Sequence, residues 1–147
     1  MKKLISLIIS IMLICTGSLS VGADNSEIKV VLNGTKLSFD VPPQIINGRT
    51  MVPVRKIFEA QGAMVEWIKE KNLIVASYKT DIISMKVGET SFSVTNAVTN
   101  ETRTVLLDVP AQIIDSRTLV PARAISEALG NKVSWDGENT TVLITDK

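Results

Sequence analysis

The chain has 147 residues, of which 45% are hydrophobic and 21% charged, and its formal net charge is +1. That balance belongs to a globular chain, since disorder needs fewer apolar residues and a larger charge excess. It also supplies no basic face for nucleic acid. The absence of any histidine excludes Ser-His-Asp and Cys-His catalysis and every metal site built on imidazole.

In chain order, residues 1–23 carry the pattern of an export signal. Lys2 and Lys3 form a positive start, residues 4–15 are an uncharged apolar run, and Val21-Gly22-Ala23 offers a cut before Asp24. The run is shorter than the roughly 18–20 residues that span a bilayer, so no stable membrane span is expected after cleavage. Cys15 follows Ile14, where lipidation needs a small residue, and cleavage leaves a mature chain, 24–147, without cysteine. A secreted, extracellular or cell-surface protein is expected, held by its core and not by disulfides.

Strands are expected at 29–32 and 36–39, across Asn33-Gly34, a two-residue hairpin signal of type I′. Pro42 ends the second of these. Pro53 stands at the start of a short helix over 53–61, closed by Gly62. Val54, Ile57 and Phe58 form its apolar stripe. Two strands follow, 64–67 and 73–77, and then 81–87 alternates as one more strand that bridges to the second half. There the order returns: strands at 91–95 and 102–107, Pro110, a helix over 121–129 closed by Gly130, and strands at 132–135 and 141–145 around Asp136-Gly137-Glu138-Asn139.

The return is a true internal repeat. Segments 40–77 and 108–145 align without a gap at an offset of 68, with 18 of 38 positions identical. Both carry D-V-P-x-Q-I-I, R-T-x-V-P-x-R-x-I-x-E-A-x-G and a Val two residues before a Trp. One supersecondary unit is used twice. The expected fold is α+β, with antiparallel sheets packed on two short helices and built from two β-β-α-β-β repeats, about 28–80 and 89–147, joined by a bridging strand. Each repeat is too small for a core of its own, so 24–147 is expected to be one domain.

Four kinds of residue recur at matching positions. Asp40 and Asp108 precede Val-Pro at strand ends, where an aspartate bonds the local backbone; repetition favours a structural role over a catalytic pair, whose members need unlike environments. Arg55/Glu59 and Arg123/Glu127 form i,i+4 pairs on the helices. Arg49 and Arg117 are expected to serve structure, by bonding loop carbonyls; as the alternative they are candidate ligand contacts, because a guanidinium fork suits an anionic glycan or carboxylate. Trp67 and Trp135 are in phase with Val65 and Val133, which puts both in the core; as an aromatic platform for sugar they would have to face solvent.

The pattern L-N-G…D-V-P-P-x-I-x-N-G-R-T-M-V-P-V-R-x-I-F-E-A-x-G-A-x-V-x-W, given twice, resembles the copper amine oxidase N-terminal (stalk) domain of exported bacterial proteins. The resemblance covers about 28–145. It implies an antiparallel sheet against helix and an accessory module outside the cell, separate from the copper-bearing catalytic domain. The oxidase binds copper through histidine and makes its cofactor from an Asn-Tyr-Asp/Glu tyrosine. This chain has no histidine, and its single tyrosine lies in Ser77-Tyr78-Lys79. No amine oxidase activity is implied, nor any metal or cofactor. Departures fall at turns: Asp115-Ser116 replaces Asn47-Gly48, Asn131-Lys132 replaces Ala63-Met64, and Ile68-Lys69 stands against Asp136-Gly137. The expected function is that of an exported, non-catalytic structural or accessory module. Its partner would be a cell-envelope component or another exported protein, and the alternative is a wall polysaccharide or peptidoglycan binder. The candidate contacts are Arg49, Arg117, Trp67 and Trp135.

Overall fold

The computed structural model describes residues 26–147, so the expected export signal, 1–23, and Cys15 lie outside the described residues. The organising element is a four-stranded sheet made of two short hairpins, β3 (Gln44–Ile46) with β4 (Arg49–Pro53) and β10 (Gln112–Ile114) with β11 (Arg117–Pro121). Its order is β10-β11-β4-β3. β4 and β11 are antiparallel, with Val120 opposite Val52, Leu119 opposite Pro53 and Pro121 opposite Met51. Val52 and Val120 occupy the same position in the repeat, so this pair lies on a local two-fold relation between the copies.

Alternation along β4 and β11 gives the sheet two apolar faces. Met51 and Leu119 point to one side, where they close a small cluster with Val41 and Val109, edged by Ile46 and Ile114. Val52 and Val120 point to the other side and join the main core. The composition expectation of β-β-α-β-β therefore omits one hairpin in each copy. Three-residue strands flanked by proline give too little periodicity to stand out; only the pairing between copies makes them a sheet.

Each central strand runs straight into a helix. β4 leads to α1 (Val54–Ala60) and β11 to α2 (Ala122–Leu129). Pro53 and Pro121 are the junctions, at φ −60° and −53°, values that the pyrrolidine ring imposes and that suit both a strand end and a helix entry. Both helices thus begin one residue later than the proline signal predicts. At the far end the amides of Ala63 and Asn131 return to the carbonyls of Phe58 and Ser126 at 2.9 and 2.8 Å, which satisfies orphan carbonyls of the last turn. Arg103 adds a 2.6 Å bond to the carbonyl of Ala128.

The outer sheets mix the two copies. One has the order β5-β6-β7-β8-β9, formed by Met64–Ile68, Leu73–Tyr78, Asp81–Lys86, Ser91–Asn96 and Thr102–Leu106. A single 3-10 turn, Lys69–Lys71, separates β5 from β6. β7 pairs antiparallel with β6 on one side and β8 on the other. The other sheet has the order β12-β13-β1-β2, formed by Lys132–Asp136, Thr141–Thr145, Lys29–Leu32 and Thr35–Lys36. Here β13 meets β1 directly and in parallel, Lys29 opposite Thr141 through Leu32 opposite Ile144. No strand is interposed at this end, so the two strands that β7 keeps apart elsewhere become neighbours.

The main core lies between these outer sheets and the helices. Val30, Leu32, Val142 and Ile144 enter from one sheet, Ile74, Ala76, Ile83, Met85, Phe92 and Val94 from the other, and Ile57, Phe58 and Ile125 from the helices. The copies differ at its centre. Phe58 is fully buried in α1, whereas its counterpart Ser126 is buried in α2 with its hydroxyl donating to the Ala122 carbonyl at 3.1 Å.

Both central hairpins use the same turn despite different residues. Asn47 and Gly48 have φ of 48° and 74°; Asp115 and Ser116 have 48° and 64°. A serine in the left-handed region carries a Cβ penalty that glycine avoids. Ser116→Gly is therefore expected to stabilise the protein by about 1 kcal/mol, a rise in Tm of a few degrees for a domain of this size, read by thermal melting. Because each outer sheet needs strands from both copies, unfolding should also be a single transition, coincident by tryptophan fluorescence and far-UV circular dichroism. Cleavage near Lys79 should leave neither half folded; a cooperative melt of 24–80 alone would contradict this.

Candidate functional site

The central sheet sets two equivalent clefts on the surface, each lined by both copies. The first, about 820 Å³, is walled by Asp40, Arg55, Lys56, Glu59, Trp67 and Lys69 from one copy and by Ile113, Ser116 and Arg117 from the other. The second, about 580 Å³, takes Asp108, Arg123, Ala124, Glu127 and Trp135 from the second copy and Ile45, Gly48 and Arg49 from the first. Every lining residue of the first cleft except Lys69 has its counterpart, 68 positions away, lining the second.

Reciprocal ion pairs cross the centre of the molecule. Arg49 donates from Nε and Nη2 to one carboxylate oxygen of Asp108, at 2.8 and 2.7 Å. Arg117 does the same to Asp40, at 2.9 and 2.5 Å. The β3–β4 and β10–β11 turns aim these side chains, since each arginine is the first residue after its turn and also donates to the preceding carbonyl, Gly48 or Ser116. Asp40 uses its other oxygen to accept from the Val41 amide at 2.9 Å. All four side chains are about half exposed or more, so the pairs orient the groups and add little to stability.

The hydrogen-bonded Arg117 guanidinium outweighs the opposing desolvation and, with help from the Val41 amide, holds Asp40 below the ordinary 3.8 of an aspartate. The Asn139 side chain and the turn amides likewise lower Asp136; Asp136 caps the β12–β13 turn by accepting from the amides of Glu138 and Asn139.

The helix residues are less symmetric. Arg55 reaches Glu59 at 3.5 Å and the Val65 carbonyl at 3.4 Å. Arg123 makes neither bond among the described residues, so the second expected i,i+4 pair is not formed. The tryptophans also part company. Trp67 is half-buried and packs with Val65 against the main core, but Trp135 is 48% exposed. Both were expected in the core. Their phase with Val65 and Val133 is as read, yet both strands are sheet edges, and the side chains that flank the indole differ. Lys56 and Lys69 line the cleft beside Trp67, where the second copy has Ala124 and Gly137.

The four candidate contacts are thus brought together across copies, Trp67 with Arg117 and Trp135 with Arg49. Asp40 and Asp108, read from sequence as strand-end aspartates, are also the acceptors that hold those arginines. Their matching repeat positions were visible; their pairing with the opposite copy was not, because it depends on how the hairpins meet.

The depressed titration of Asp40 has a definite sign. Its ion pair favours the folded state above pH 3.8 and is lost as pH falls through the lower folded value. Carboxyl NMR should place the Asp40 midpoint below 3.8, and Arg117→Gln should move it back up.

The donor set does not suit the copper of an amine oxidase. The chain has no histidine, and no group of three His, Cys, Asp or Glu side chains able to hold a metal occurs among the described residues. No helix among them is long and apolar enough to cross a membrane. Comparison with curated proteins returns no match. Residues 31–144 match the copper amine oxidase N-terminal domain, and the span takes in both copies, both clefts and the sheet between them. The chain belongs to the copper amine oxidase N-terminal domain family.

Proposed function

We propose that this protein is an exported, non-catalytic accessory module that acts at the cell envelope or with another extracellular protein. The observation that carries the reading is the pair of equivalent clefts, each lined by planar and aromatic side chains and each containing one of the reciprocal ion pairs. Such surfaces orient a ligand. General acid–base work needs two groups with opposed environments, and Asp40 and Asp108 share one environment, each against an arginine. The N-terminal signal pattern supports export and a secreted or cell-surface location.

A second reading, a module for wall polysaccharide or peptidoglycan, is favoured by one specific feature. Trp135 stands half out of its strand, as an aromatic platform requires. In either reading the partner is not nucleic acid, and no cofactor takes part.

Mature 24–147, immobilised and exposed to purified wall material and to envelope proteins, should retain one of them. Retention of wall glycan selects the second reading, and retention of an exported protein the first. The purified protein should show no amine turnover and no copper that survives chelation. Turnover, or about one copper per chain, would overturn the non-catalytic assignment.

A further inference from the structure

We infer that the two clefts have different occupants and that the second is a stacking site for a neutral oligosaccharide, with Trp135 as its platform. The inference rests on the wall-polysaccharide reading and assigns it to one place. Seven matched positions differ between the clefts, and three of them change charge or put a large apolar side chain on the rim. Ser38, Lys56 and Lys69 of the first become Leu106, Ala124 and Gly137 in the second.

Their combined effect is to remove the positive excess and to set an exposed leucine on the rim. Lys56 and Lys69 leave the first cleft with an excess of positive charge, whereas Arg49 and Arg123 are balanced by Asp108 and Glu127 in the second. A charge-balanced site does not select an anion. Three large apolar side chains stand exposed on its rim, Trp135 at 48%, Ile45 at 59% and Leu106 at 77%. They come from β12, β3 and the end of β9, one from each sheet.

Gly137 decides access to the indole. A Cβ at that position would already lie 3.4 Å from the Trp135 Nε1; with glycine there, no side chain covers the N–H edge from that side. Arg123 is exposed and unpaired among the described residues, while its counterpart Arg55 is held by Glu59 and the Val65 carbonyl. The second cleft therefore combines exposed apolar groups at its rim with one free guanidinium, that of Arg123, and carboxylate acceptors. That pairing matches a pyranose, which presents C–H groups on one face and hydroxyls at its edge. Its volume, about 580 Å³, falls within the roughly 300–1,000 Å³ of small-ligand sites.

The test titrates mature 24–147 with neutral tetramers of N-acetylglucosamine, glucose and mannose, and with an acidic galacturonate tetramer. Binding is followed by tryptophan fluorescence and calorimetry, beside retention on wall material. At least one neutral tetramer should bind, and Trp135→Ala should weaken it by about tenfold or more. Leu106→Ser and Gly137→Lys, which restore first-copy character at exposed positions, should weaken it in the same direction with melting unchanged. Wall retention that survives Trp135→Ala, or preference for the galacturonate with no Trp135 dependence, would overturn the assignment and leave the wall-binding reading standing. No retention on wall material and no tetramer bound would overturn both. Capture of an exported protein that Trp135→Ala abolishes, with no tetramer bound, would make the second cleft a protein site instead.

Discussion

Strands β4 and β11 meet at Val52 and Val120, and the remaining architecture follows from that antiparallel pairing. Two equivalent hairpins related by a local two-fold must send their following helices in opposite directions. They must also bring each copy's Arg-bearing turn beside the other copy's Asp-bearing strand end, which is where the two reciprocal ion pairs form. The pairing buries Val52 and Val120 completely on one face and Met51 and Leu119 completely on the other. A smaller residue at any of these four positions would open a cavity in the core that the position faces.

The outer sheets then close the fold by exchange. The last hairpin of the first copy continues through β7 into the first hairpin of the second, and the last strand of the second copy returns to lie along β1. The chain is thereby joined at both ends of the molecule as well as at its centre. The same geometry creates two clefts, where the edges of the outer sheets approach the central hairpins. Duplication makes two equivalent sites available, and small changes at their rims can then separate their chemistry without disturbing the shared core. Lysine against alanine and glycine, and serine against leucine, are changes of that kind. Family membership fits this division. What matches is the N-terminal domain of the amine oxidases, and the residues of this chain supply a framework and surfaces, with no imidazole for the oxidase's metal.

How much could be read beforehand varied with the range of the interaction. The Asn33-Gly34 turn, the helix entries at Pro53 and Pro121 and the closing residues Gly62 and Gly130 all depend on neighbours within a few residues, and the structure has them where the residues indicate. The strands 73–78 and 81–86 were legible for the same reason, since alternation is local. The hairpins at 44–53 and 112–121 were not. Their short arms carry a weak signal, and the stabilising partner of each is the other, 68 residues away. Asp115-Ser116 looked like a changed turn and is the same turn, because β10 and β11 impose it and the serine tolerates the left-handed region.

The sequence by itself determined that one unit is used twice, that the chain lacks the ligands for imidazole-bound metal, and which family it resembles; these rest on residue identity and spacing alone. It also determined which residue types recur at matching positions: Asp, Arg, Glu and Trp. Tertiary structure alone decided what those residues face. Identical spacing placed Trp67 and Trp135 in equivalent strands, but exposure depends on which side chains neighbouring elements bring alongside. Lysines line the cleft of one indole where the other copy has an alanine and a glycine, and one tryptophan packs half-buried against the core while its twin stands open.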